Sequence, residues 1–297
     1  MSIIDTPFNT ESRIACLKTS GVSTIIRYYN FSNSSVFPQK RLELAEAEVI
    51  SKNGIQIAVV FQQRQNSAAD FSDGNGFAAG RAAVRHGQHN IGQPTGSGIY
   101  FSVDFDASTS EINNSIIPYF QGVRRAFSQE SGGDPAYKIG VYGSGRTASL
   151  LRQRGLIELT WLAMSRGFAG TRDALDAGEF NLNQLPPDSK LCGIGCDFNE
   201  PNPDGRDFGA FTLDVEAVTP TTPVVVPANG NGHLQRVIAR SGLRLREGPG
   251  TQFDIIGGLQ FGQVVTVVSV TDGFARIDVQ GDGQIDGFAS AAFLEPV

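Results

Sequence analysis

The chain has few of the residues that staple or ligate small folds: its 297 residues include three cysteines, three histidines, one tryptophan and two methionines. Cys16, Cys192 and Cys196 supply neither a disulfide framework nor a four-ligand zinc site. They read as buried thiols, with a bridge from Cys16 to Cys192 or Cys196 left open for an oxidising compartment. His86 and His89 have no acid placed as in a zinc-protease motif and read as surface histidines, so no metal is expected. Lys and Arg do not cluster and the net charge is −6, which argues against nucleic acid or an anionic membrane as partner. No apolar run is long enough to span a bilayer, so no transmembrane segment is expected. Met1-Ser2-Ile3-Ile4-Asp5 lacks the basic and apolar regions of a classical export signal. A cytoplasmic protein, non-classical export and a trimmed leader all fit that start.

What is present is an ordinary globular composition, 40% apolar, organised around the stretch from Ile99 to Ser108. Strand periodicity puts Tyr100, Ser102, Asp104 and Asp106 on one face and Ile99, Phe101, Val103 and Phe105 on the other. Ser108-Thr109-Ser110-Glu111 follows as a capping box, so a helix starts just after the carboxylates. Acids at the carboxyl end of a strand that feeds a helix stand where α/β folds place their chemistry.

The same rhythm recurs along the chain. Strands are expected at 3–5, 24–29, 55–61, 99–106 and 138–142, each followed by a helix, at 9–19, 38–52, 76–89, from Ser108 to about Glu130, and at 146–154. Residues 159–164, 181–185 and 192–197 then read as three strands with little helix between them. Five strand-helix units and three further strands predict an α/β fold with a parallel sheet closed as a TIM-type barrel over residues 1–217. A doubly wound open sheet is the structural alternative. Residues 218–232, rich in Pro, Thr, Asn and Gly, read as a linker. Residues 233–297 carry short alternating strands between glycine-rich turns, the pattern of a small all-β barrel. Within it, Asp278 to Asp286 imitates a calcium loop but lacks the acid at position twelve and reads as a turn.

A barrel would bring Asp5, Asp104, Asp106 and Asp197 to one mouth, since each ends a strand. Apposed carboxylates raise one another's pKa, which keeps one acid protonated while its neighbour stays ionised, as glycoside hydrolysis requires. Tyr28, Tyr29, Gln62, Gln63, Tyr142, Trp161 and Gln184 accompany them, aromatic faces for sugar rings and amides for hydroxyls. Arg27 either pairs with one of the acids or forms a structural salt bridge. Gly143-Ser144-Gly145-Arg146-Thr147-Ala148 imitates a dinucleotide fingerprint, but it opens the fifth unit and no acid follows for a ribose, so no cofactor is expected.

These residues carry a resemblance. Ile4-Asp5-Thr6, Tyr100 to Asp106, Gly140-Val141-Tyr142-Gly143, Trp161-Leu162-Ala163 and Cys196-Asp197-Phe198-Asn199 make residues 1 to about 215 similar to the glycoside-hydrolase-like barrels of domain of unknown function 1906, themselves similar to the family 25 muramidases. The resemblance implies that Asp106, one methylene shorter than that family's glutamate, is the general acid. It implies that Asp5, Asp104 and Asp197 position substrate or stabilise the oxocarbenium-like transition state. Residues 234–297 resemble a bacterial SH3-like domain through Ser241 to Gly250, Gly257-Gly258-Leu259, Gly262 to Val265 and Asp286 to Ala289. The two resemblances imply a peptidoglycan hydrolase of the cell wall, periplasm or extracellular space, with a wall-targeting module. A non-catalytic peptidoglycan-binding barrel and a glycosidase for another polysaccharide are the alternatives. Oligomeric state is not legible.

Overall fold

The structure, a computed structural model, describes residues 2–214, 232–239, 242–279, 281 and 283–297. The chain divides into two compact units, Met1–Ala217 and Val218–Val297. Apart from Gly232, the expected linker lies outside the described residues.

In the first unit β1 (Ser2–Asp5), β2 (Val22–Tyr29), β3 (Gln56–Phe61), β4 (Gly98–Ser102), β5 (Lys138–Gly143), β6 (Leu159–Leu162), β7 (Leu182–Leu191) and β8 (Ile194–Pro201) close into a barrel in sequence order. The expected TIM-type barrel is therefore present, with one departure from the expected parallel sheet. Strands β1 to β7 pair in parallel, whereas β8 is antiparallel to both β7 and β1. The reason is the connection. Leu191 pairs with Ile194 across a two-residue turn, Cys192-Gly193, whose φ values of 52° and 83° are those of a primed hairpin turn. A connection that short cannot hold a crossover, so the chain must return antiparallel.

Helices α1 (Ile14–Thr19), α2 (Leu44–Lys52), α3 (Asp73–Arg85), α4 (Ile117–Glu130), α5 (Gly145–Gln153) and α6 (Thr171–Asp176) surround the barrel. The Ser108 box leads into α4 as expected, with Glu111 N–H donating to Ser108 and Ser108 N–H to the Glu111 carboxylate. α2 starts at Leu44 rather than Pro38, which leaves residues 38–43 as a loop at the barrel's carboxyl end. Gly76 of α3 and Gly122 of α4 let the two backbones meet: a Cβ at either would strike Tyr119 O or Asp73 O of the other segment.

Strand parity sorts the side chains into two cores. Ile26, Ala58, Val60, Tyr100, Trp161 and Leu182 fill the barrel interior, while Ile25, Ile57, Val59, Phe101 and Val141 pack outward under the helices. Arg27 and Tyr29 share the outward parity of Ile25. Both are fully buried, and His86 is buried with them, its ring edge-on to Tyr29 at 4.7 Å and its Nε2 2.8 Å from Leu42 O. His86 is therefore a core residue rather than a surface histidine. Burial pushes its imidazole down to about 4, so it is neutral there. The reading of three free thiols is also corrected: α1 carries Cys16 to the β7–β8 turn, where it bridges to Cys192, and Cys196 stays a buried free thiol.

The second unit is a seven-stranded antiparallel sheet. Its strands are β9 (His233–Val237), β10 (Leu243–Arg246), β11 (Ile255–Leu259), β12 (Val264–Thr271), β13 (Phe274–Asp278), β14 (Gly287–Ser290) and β15 (Leu294–Pro296), in the order β11-β10-β14-β13-β12-β9-β15. Alternate residues Leu243 and Leu245, Val265 and Val267, and Ala275 and Ile277 bury one face as its core. Asp278 accepts N–H bonds from Gly281 and Gly283, the work of a turn.

Candidate active site

A cavity of about 580 Å³ opens in the first unit. Its lining includes Tyr28, Gln62, Ser102 and Asp104 from β2 to the end of β4, Tyr142 and Trp161 from β5 and β6, and Gln184 and Asp197 from β7 and β8. The volume and the mixture of aromatic rings with convergent polar groups suit a small ligand or one segment of a polymer.

On the β1–β8 side, Asp5 and Asp197 face each other in register. The Gln184 amide bridges them, donating to Asp5 Oδ2 at 3.0 Å and to Asp197 Oδ2 at 3.2 Å. Asn199 adds a bond to Asp5 Oδ2 at 2.9 Å, and the Tyr28 hydroxyl donates to Asp5 Oδ1 at 3.2 Å. Every donor to Asp5 is neutral, and Asp5 is 2% exposed. Burial therefore pushes its carboxyl up to about 7, with the Asp197 charge adding to the rise. Asp197 is pushed up to about 6, by burial first and then by Asp188 on β7.

Across the barrel, Asp104 accepts from Gln62 Nε2 at 3.2 Å, and the same nitrogen reaches Ser102 Oγ. Lys40 donates to Gln62 Oε1 at 3.0 Å and lies 4.5 Å from the centre of the Tyr28 ring. Loss of water raises Asp104, and the Gln62 bond and the Lys40 charge pull it only part of the way back. Burial lowers Lys40 to about 8. The two acidic sides thus differ: among the described residues, Asp104 has a cation beside it and the Asp5–Asp197 pair does not.

The structure separates the expected site residues into two groups. Asp104, Asp197, Tyr28, Gln62, Tyr142, Trp161 and Gln184 line the cavity, and Asp5 lies buried behind them, bonded to Tyr28 and Gln184; bonds from Tyr142 to Gln184 (2.7 Å) and from Trp161 to Asn199 (2.8 Å) tie the group further. Arg27 and Tyr29 do not. Arg27 is fully buried on the helix side and holds Glu46 of α2 through two bonds of 2.8 and 3.0 Å. The Tyr29 hydroxyl donates to Gln93. Gln63 is spent on the backbone N–H groups of Phe31 and Ser32. Asp106 does not share the face of Asp104, because β4 ends at Ser102 and the Ala107 N–H bonds Phe105 O in a tight turn centred on Asp106. Its carboxylate accepts from Ala169 N at 2.9 Å instead, and it is not among the residues lining the cavity.

Sequence reasoning passed over Asn199, Lys40 and the loop 163–169. Asn199 shares the face of Asp197 two residues earlier, so parity could have found it; Lys40 sits in a stretch that reads as helix. The imitation of a dinucleotide fingerprint also has a local cause. Ser144 caps α5, and Gly145 admits the backbone of Gly170 against it.

Fold and site together define a glycoside-hydrolase-like barrel with paired carboxylates at its mouth. The chain belongs to the Rv2525c-like, glycoside hydrolase-like domain family, whose profile matches residues 15–185, and residues 241–295 match the bacterial SH3 domain. It is 31% identical over 225 residues to the "Uncharacterized protein YbfG" of Bacillus subtilis, covering 72% of this chain and 30% of that protein. It is 27% identical over 165 residues to the "Putative peptidoglycan hydrolase Rv2525c" of Mycobacterium tuberculosis, covering 54% of this chain and 63% of that protein. The chain thus spans less than two thirds of these relatives. The crystal structure of the Tat-secreted Rv2525c superposes with a TM-score of 0.57 at 23% identity, over 70% of this chain and 98% of that one.

Proposed function

We propose that the barrel hydrolyses a glycosidic bond of cell-wall glycan, in the manner of a muramidase, and that the SH3-like unit tethers it to the wall. The observation that carries this reading is the pair of carboxylates in unlike environments on opposite strands of one aromatic-lined cavity. Asp197, held near 6 with no cation beside it, is the proton donor to the leaving oxygen. Asp104, with Lys40 and Gln62 at hand, is the ionised partner at the anomeric carbon, as nucleophile or as base for water. Asp5 shares the Gln184 amide with Asp197 and holds that amide in place, and its own proton affinity is raised by the Asp197 charge. Tyr142 supplies a ring face for stacking, packed edge-on against the buried Trp161.

The family membership, the SH3 match and the mycobacterial relative, named as a peptidoglycan hydrolase, support a cell-wall substrate. The Cys16–Cys192 bridge supports work in an oxidising compartment outside the cytoplasm. A wall-bound module would raise the local concentration of glycan around the barrel.

The test is release of reducing ends and soluble muropeptides from purified peptidoglycan. The intact protein should release both, with activity falling as pH rises through about 6 as Asp197 loses its proton. Asp197→Asn and Asp104→Asn should each lose about 10²-fold or more. Sacculi bound without release of ends, across pH and wall types, would replace the hydrolase by a binding scaffold.

A further inference from the structure

We propose that Arg166 is a carboxylate receptor that makes this site select acidic over neutral glycan. The inference rests on the glycan reading above and names the substituent that the substrate must carry.

Arg166 brings a positive charge to a cavity wall that also holds Asp104 and Asp197, and it is exposed. Among the described residues it pairs with no acid, even though two line the same cavity. Lys40 makes the useful contrast. Its ammonium is already bonded to Gln62, packed on Tyr28 and facing Asp104, so its charge is committed to the protein. The charge of Arg166 is left for a ligand.

The loop that presents Arg166 is fixed at both ends. Ala163 N–H bonds Gly143 O at 2.9 Å at its start, and Met164 N–H reaches Gln184 Oε1 at 3.4 Å. At its end Ala169 is held twice, its N–H by the Asp106 carboxylate and its carbonyl by Arg146 N–H, both at 2.9 Å. Between these anchors the Phe168 N–H closes a turn onto Ser165 O, with Arg166 at its apex. Anchors of this kind spare the backbone an ordering cost on binding, and the planar fork of the guanidinium matches a carboxylate with two parallel bonds.

Topology says where that carboxylate must be. Asp104 lies two residues past the end of β4 and Asp197 within β8, four strands apart, and Arg166 follows β6, midway between them around the barrel. A bond cleaved between Asp104 and Asp197 therefore leaves Arg166 to one side, against a substituent of a neighbouring sugar rather than the reacting centre. In wall glycan that substituent is the lactyl carboxylate of muramic acid where the stem peptide has been removed, or a carboxylate of the peptide where it has not.

The test compares binding by the intact protein, measured by calorimetry, to three soluble polymers: peptide-free glycan strands, the same strands with their carboxylates reduced to alcohols, and strands that keep their peptides. The wild type should prefer a carboxylate-bearing form over the reduced one by about tenfold or more, the worth of a charge-assisted hydrogen bond. Preference for the peptide-free or the peptide-bearing strands identifies which carboxylate is read. Arg166→Gln should bring the ratio close to one, and Arg166→Lys should restore part of it. Equal binding of all three polymers by the wild type, or a preference that survives in Arg166→Gln, overturns the receptor while leaving a glycan site standing. Failure of the wild type to bind any of them overturns the glycan reading and the receptor with it.

Discussion

Arg27 and Tyr28 are neighbours in sequence and belong to opposite kinds of buried chemistry. Arg27 points outward from β2 and meets Glu46; both are fully buried, and the Glu46 carboxylate also accepts from Thr10 N–H and Oγ1 at 2.8 Å each. Two further guanidinium N–H groups go to Thr6 O and Gln39 O. Tyr28 points inward and meets Asp5, whose other donors are the neutral amides of Gln184 and Asn199. The outer network balances its charges and bonds each of the three guanidinium nitrogens and both carboxylate oxygens. The inner one gathers acids without a matching cation, and the imbalance appears as raised proton affinity at Asp5 and Asp197. A buried charge that is neutralised serves the fold, and one held only by neutral dipoles is poised to move a proton.

The sharpest way to break that contrast is to remove one charge from the balanced side. Arg27→Met leaves Glu46 buried with no counter-ion and should cost about 3–5 kcal/mol, seen as a melting point lower by roughly 10 °C or more. An unchanged melting curve would mean that Glu46 is not stranded, and the distinction between the two networks would fall.

On the inner side the same kind of neutralisation should help rather than harm. A carboxyl whose folded-state pKa lies above its unfolded value stabilises the fold at low pH, and that stability is lost as pH rises through the folded value. For Asp5 the window runs from about 4 to about 7, and for Asp197 it closes near 6, so the barrel should melt lower at pH 7.5 than at pH 5. Asp5→Asn resembles the protonated acid. It keeps an oxygen for the two amides that share Oδ2 and turns an N–H toward the Tyr28 hydroxyl, which can reverse its bond. The variant should therefore be more stable than the wild type above pH 7, by on the order of 2–4 kcal/mol at most, with a flatter melting profile across that window. Wild-type melting that does not change between pH 5 and pH 7.5 would show that Asp5 ionises normally.

Much of this was legible in the sequence, through periodicity. Alternation placed Asp104 with Ser102 and Tyr100, and five strand-helix units before three strands gave the barrel. The same alternation, carried one step further along β2, would have put Arg27 and Tyr29 outside: an aromatic or a charge beside Tyr28 is attractive by residue type and excluded by parity. The direction of β8 was decided by two residues, Cys192 and Gly193, both at positive φ. A cysteine gives no hint of that conformation. Periodicity also misled at Asp106, because it describes a strand only while the strand lasts, and a turn centred on that residue lies beyond its end. Lys40, Arg166 and the loop that carries Arg166 follow from loop geometry, for which no repeat exists.

Asp106 offers the smallest expected effect and the cleanest separation of resemblance from geometry. By resemblance it is the general acid, and Asp106→Asn would then abolish cleavage, since an amide cannot supply the proton; a loss of about 10²-fold or more would follow. By geometry it accepts one bond from Ala169 N, and the amide oxygen of asparagine can accept the same bond. The substitution should then change glycan release by no more than a few-fold and leave its pH dependence in place. Asp106→Ala, which removes the acceptor, should loosen the Arg166 loop, weakening binding of acidic glycan more than that of its carboxyl-reduced form. The stability cost should be about 1 kcal/mol, the scale of one hydrogen bond at the surface. A dead asparagine variant beside an active Asp197→Asn would return the proton to Asp106 and make the tight turn at that residue a feature that substrate binding must undo.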